Sequence, residues 1–117
     1  MRSPRSLALV SDDLMFASQL QTAMRRVSGS CALVVGDSVP EVDLVFVDLN
    51  RDAEARLELI AELRAVHERL PIVGFCHHEE RELRRRALAE GATRVINNGA
   101  LQAVALRLSG VNVPHEE

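Results

Sequence analysis

The chain has 117 residues, of which 47% are hydrophobic, with a formal net charge of −3 and no Trp, Tyr or Lys. That length and composition fit one domain with an aliphatic core and exclude a disordered tail. The acidic balance and an aromatic content of 3% argue against nucleic acid or an anionic membrane as a partner.

The first element, "LALV" (7–10), is a short continuous apolar run and reads as a buried strand. "SDD" follows, then "LMFASQLQTAMRRV" (14–27), whose Phe16, Leu20, Ala23, Met24 and Val27 fall on one helical face. Ser11 or Asp12 is the expected N-cap. "CALVV" (31–35) is a second apolar run, broken by Gly36 and Pro40, and "VDLVFVD" (42–48) is a third. A long amphipathic helix is expected over 53–70, with Leu59, Ile60, Leu63, Val66 and Leu70 inward, Asn50 or Asp52 as cap and Pro71 as stop. "IVGF" (72–75) is a fourth strand, "EERELRRRALAE" (79–90) a polar helix closed by Gly91, "RVI" (94–96) a fifth strand, and 100–109 a last helix closed by Gly110. Residues 1–5 and 111–117 read as flexible termini around a domain spanning 6–110.

Continuous apolar strands alternating with helices predict an α/β fold, a five-stranded parallel sheet covered on both faces. The pattern fits a flavodoxin-like doubly wound domain of strand order 2-1-3-4-5. Only the short stretch from Gly36 to Glu41 separates the second and third runs, so the second helix is missing or reduced to a loop.

In such a sheet, function gathers at the carboxyl ends of the strands. Asp12 and Asp13 follow the first strand and Asp48 ends the third. Three carboxylates converging there would repel one another without a cation or a shared proton. Mg²⁺ suits oxygen ligands of this kind, and with it bound a third carboxylate can attack phosphorus to give an acyl phosphate. The plainer alternative is that Asp12 and Asp13 cap a helix and Asp48 is a solvated strand end.

The segments "LALVSDD", "DLVFVDLN", "LPIVGFCHH" and "EGATRVINNGAL" resemble those of response-regulator receiver domains (CheY-like), over about residues 6–110. The resemblance implies a two-component or phosphorelay signalling role, with Asp48 as phosphoacceptor, the site of a phosphoaspartate. It implies that Asp13, with Asp12 behind it, holds Mg²⁺, with the backbone carbonyl of Asn50 as a further ligand. Implied partners are proteins, a histidine kinase or a downstream effector. The sequence departs from the family pattern at four places, one of them Arg51-Asp52 where receivers usually carry Met-Pro. Cys76 stands where receivers carry Thr or Ser, Asn98 where they carry Lys, and Val95 where they carry a switching aromatic. A thiol is a weak donor, and a neutral amide gives about half the strength of a charge-assisted bond. Acids without the hydroxyl, the cation and the switch are the pattern of an atypical or pseudo-receiver. Either Mg²⁺ still lets Asp48 accept a phosphoryl group, or the domain is a phosphorylation-independent interaction module. The lost electrostatic help favours the second.

Several further readings follow. "CHH" (76–78) carries metal-ligand types, but neighbours in an extended segment point apart, so ordinary loop histidines are favoured over a Zn²⁺ site. Nearby carboxylates would raise the Cys76 pKa, which argues for a buried filler rather than a redox thiol. Two cysteines, without CxxC spacing, make no disulfide framework. No run is long enough for a signal peptide or membrane span, and the expected location is cytoplasmic with reduced thiols. Ala87, Leu88, Val104 and Leu108 could supply a partner or homodimer face. Only seven residues follow Gly110, so no output domain is expected. The expected role is not enzymatic; the alternative from another class is a small phosphatase or hydrolase with Asp48 as nucleophile.

Overall fold

The computed structural model describes residues 6–110, so the expected flexible termini lie outside the described residues. Five short strands form one parallel sheet: β1 (Ser6–Val10), β2 (Ser30–Val34), β3 (Leu44–Asp48), β4 (Ile72–Cys76) and β5 (Arg94–Asn97). Their order is β2-β1-β3-β4-β5, as the apolar runs predict. The central strands β1, β3 and β4 are buried almost throughout, because helices cover both faces of a parallel sheet.

Side-chain alternation divides the core into two layers. Leu7, Leu9, Phe46 and Phe75 face α1 (Leu14–Arg26) and α4 (Leu101–Leu108). Ala8, Val10, Val45, Val47 and Ile72 face α2 (Ala53–Val66) and α3 (Arg81–Glu90). On the first face Phe16 of α1 meets Phe75 edge-on, with ring centroids 5.0 Å apart.

The crossover from β2 to β3 contains no helix among residues 35–43. Val39 and Val42 from this loop pack against the α2–α3 layer and cover apolar surface that a helix would otherwise hide. Asp43 then anchors the loop: its Oδ2 accepts from the Ser6 amide and hydroxyl, both at 3.0 Å.

Three local expectations are corrected. Asp13, a cap in the plainer alternative, caps α1 in place of Ser11 or Asp12, its carboxylate accepting from the Met15 amide at 2.8 Å. Helix α2 ends at Val66, which is exposed, and its buried residues include Arg56 and Leu57 as well as Leu59 and Ile60. Asp52 stands at the N-cap of α2 with φ 50° but makes no side-chain cap bond. Arg64 donates to the carbonyls of His67 and Glu68, just past the end of α2, and, across the fold, to that of Gly91. Gly91 closes α3 at φ 125°, where a Cβ would also strike the Arg64 stem at 2.7 Å.

Candidate functional site

Asp48 ends β3 at the carboxyl edge of the sheet and is only 3% exposed. A carboxylate this buried needs hydrogen bonds on both oxygens. Oδ2 accepts from the hydroxyl of Ser11, the residue after β1, at 2.6 Å. Oδ1 accepts from the Asn50 backbone amide at 2.9 Å and from its side-chain amide at 2.8 Å. The backbone bond is an Asx turn, which forms wherever an Asp can reach the amide two residues on. Ser11 is itself fully buried and its oxygen accepts from the Asp13 amide at 3.0 Å.

Asn50 and Asn98 form a reciprocal amide pair. Asn50 Nδ2 donates to Asn98 Oδ1 at 2.9 Å, and Asn98 Nδ2 donates to Asn50 Oδ1 at 3.1 Å. Because the Asp48 carboxylate only accepts, Asn50 must turn its NH₂ toward it, which fixes the sense of the whole chain. Asn98 thus supports Asp48 through Asn50 and replaces a charge with a neutral relay.

The three acidic residues take separate roles. Asp13 caps α1. Asp12 pairs with Arg56, Nη2 to Oδ1 at 3.2 Å. Sequence reasoning missed Arg56, which is 5% exposed and rises from α2 beneath the crevice. Its Nη1 donates to the Asp48 carbonyl at 2.9 Å and to the Val10 carbonyl at 3.3 Å. One guanidinium therefore ties together the ends of β1 and β3 and the Asp12 carboxylate. An unpaired guanidinium at this depth would be strongly destabilising, and this geometry satisfies it. Its signal was present in the sequence: Arg56, Ile60 and Leu63 follow the i, i+4, i+7 spacing of a buried helical stripe.

Above these groups lies an open crevice of ≈ 400 Å³ lined by Asp12, Asp13, Leu14, Met15, Phe16, Asp48, Asn50 and Arg51. Cys76 does not line it; the thiol is fully buried in the α2–α3 layer. Burial is the main cause that raises the Cys76 pKa above its ordinary value. Glu80 adds to that rise and Arg84 opposes it, so carboxylates are the lesser cause. His77 and His78 are exposed while Cys76 is buried, which separates the members of "CHH". Val95 is half-buried beside Gly74, whose missing Cβ makes room for Leu49. Of the expected partner face, Ala87 and Val104 are fully buried in the core and give nothing to a partner; Leu88 is half-exposed and Leu108 packs against the core.

Mg²⁺ would need carboxylate oxygens turned to a common point. Asp12 is engaged by Arg56, Asp13 by its helix, and Asp48 by Ser11 and Asn50. Among the described residues no group of three or more His, Cys, Asp or Glu is placed to hold a metal ion. With Arg56 on Asp12, the carboxylates as placed do not converge on the ion that the sequence resemblance implies.

Solved structures that superpose on this chain include receiver domains. The receiver domain of the TMAO respiratory response regulator TorR superposes with a TM-score of 0.78 at 20% identity, covering 90% of this chain and 93% of that one. The chain has the receiver fold. The Saccharomyces cerevisiae Ssk1 receiver, solved with the histidine phosphotransfer protein Ypd1, gives a TM-score of 0.73 at 15% identity over 93% of this chain and 91% of that one. The Mn²⁺-bound response regulator Rcp1 gives 0.72 at 14% identity over 96% and 100%. No family model and no curated protein matches the sequence. Within this receiver fold, Asp48 holds the strand-end position and Arg56 bonds its main-chain carbonyl.

Proposed function

We propose that this chain is a receiver-like signalling domain of a two-component or related pathway that acts through protein contacts without phosphorylation of Asp48. The observation that carries this reading is the state of Asp48. Both of its oxygens are bonded within the domain, by Ser11 and by Asn50. Phosphoryl transfer needs positive charge to receive the phosphoryl oxygens, and hydrogen bonds on the carboxylate oxygens lower their nucleophilicity. Here the oxygens are held, Asn98 brings no charge, and Cys76 is turned into the core. The domain works without Mg²⁺ on this reading. Protein partners fit the fold, since a neighbour of the same architecture is solved with a histidine phosphotransfer protein.

A second reading keeps Asp48 as phosphoacceptor, and one observation favours it: Asp48 lines the ≈ 400 Å³ crevice together with Asp12 and Asp13. The hydrolase alternative has less support, because the side chains bonded to Asp48 are Ser11 and Asn50, neither of which is a base. Incubation with a small acyl-phosphate donor and Mg²⁺, followed by intact mass, separates the first two. No phosphoryl adduct is expected. An adduct that disappears in Asp48→Asn would overturn the proposal.

A further inference from the structure

We infer that the Arg56 guanidinium, bound to Asp12 at the edge of the acidic crevice, balances that carboxylate in place of a divalent metal. This deepens the phosphorylation-independent reading but stands on Arg56 rather than on Asp48. Arg56 is 5% exposed, and a cation is rarely buried so deeply unless its partners are fixed. Its partners are the Asp12 carboxylate and the main-chain carbonyls of Val10 and Asp48. Carboxylate and carbonyl oxygens at converging strand ends are the ligand types a hard cation would take.

A guanidinium meets that demand differently from a metal. Its charge is permanent, because it does not lose its proton in a protein. It is delivered by α2, so no ion has to be captured from solution or stripped of water. Its planar fork matches two carbonyls on one nitrogen and a carboxylate on the other, which a lysine ammonium does not reproduce. A divalent ion entering beside it would meet a like charge and would compete for Asp12. The stem also has a structural place, on the buried stripe of α2 with Ile60.

The consequence is a site whose charge balance is independent of metal, and whose affinity for metal is suppressed by one residue. Mn²⁺ is the direct probe, because its unpaired electrons broaden the amide signals of nearby residues. Wild-type protein titrated with Mn²⁺ to millimolar concentration is expected to show no saturable broadening at Ser11 or Asn50. Arg56→Met keeps the apolar stem and removes the charge. It is expected to bind Mn²⁺ saturably, with a Kd at least about tenfold below the highest concentration at which wild type shows no saturation, as loss of one near charge implies. Adding Asp12→Asn to that variant should abolish the binding.

Saturable binding in wild type that Asp12→Asn removes would overturn the inference. Absence of binding in a folded Arg56→Met would overturn it too, since Arg56 would not then be what keeps metal out. Should Arg56→Met fail to fold, the wild-type titration decides alone. The phosphorylation reading is tested by mass and this one by metal binding, so either can fail without the other.

Discussion

The two faces of the sheet are built on different chemistry. The face under α1 and α4 is closed by aliphatic and aromatic packing around Leu20, Met24, Phe46, Phe75 and Leu101. The face under α2 and α3 is also apolar at its centre, but arginines fasten its periphery. Arg56 binds the strand ends at the carboxyl edge. Arg64 binds Gly91, His67 and Glu68 carbonyls and the Thr93 hydroxyl at the opposite edge. Arg84 binds the Val95 carbonyl at 3.2 Å and the Asn97 side chain along β5. The difference fits the presence of Arg at these three positions. A planar fork can hold several carbonyls at once, and an ammonium on a flexible stem holds them poorly. It also teaches that the functional edge of this fold is stabilised by the same device as its far edge.

The largest effect that tests this contrast lies on the packed face. Phe75→Ala removes a fully buried ring and its edge contact with Phe16, and should cost about 3–5 kcal/mol in denaturant unfolding. A cost near that of a surface change would mean that this face is not closed by packing. On the fastened face, Arg64→Lys keeps the charge but loses the fork, and should cost about 1–2 kcal/mol. A thermal melt that matches wild type would remove the distinction between guanidinium and ammonium on which the contrast rests.

The smallest effect concerns the two thiols. Burial pushes Cys31 up to about 11 and also raises Cys76. A thiol with a raised folded-state pKa keeps its full contribution below the unfolded value and loses it as pH rises through the folded value. Stability should therefore be flat through neutrality and decline from about pH 9 toward 11. Cys31→Ser should flatten that decline. A slope that persists unchanged in Cys31→Ser would point to other groups. At neutral pH alkylation of both thiols should be slower than that of free cysteine, and Cys76, fully buried, should be the slower of the two.

Much of the fold was legible because its central strands are buried on both sides and so read as uninterrupted apolar runs. "LALV" and "DLVFVD" placed β1 and β3, and with them Asp48. The short β2–β3 crossover was legible as a missing helix, but the covering role of Val39 and Val42 was not, since single valines in a loop carry no periodicity. Val66 was misread because it keeps the apolar helical spacing as the last residue of α2 and yet is exposed. At the site, the identities of Asp12, Asp13, Asp48 and Asn98 could be read, and their division of labour could not. A carboxylate pattern looks the same whether its charge is balanced by an ion or by an arginine from another element. Arg56 was hidden by its own type, because a charged residue in a polar helix is ordinarily read as solvated. Its place on the buried stripe was the sign.

The central claim is that Asp48 is a bonded structural acid rather than a free reactive one. A reactive acid held among like charges is usually a source of strain, and removing it stabilises the fold. A bonded acid leaves donors unmatched when it is removed. Denaturant unfolding of Asp48→Ala measures the sign directly. The account predicts a loss of about 1–3 kcal/mol, from the stranded Ser11 hydroxyl and Asn50 donors. A variant as stable as wild type, or more stable, would contradict it.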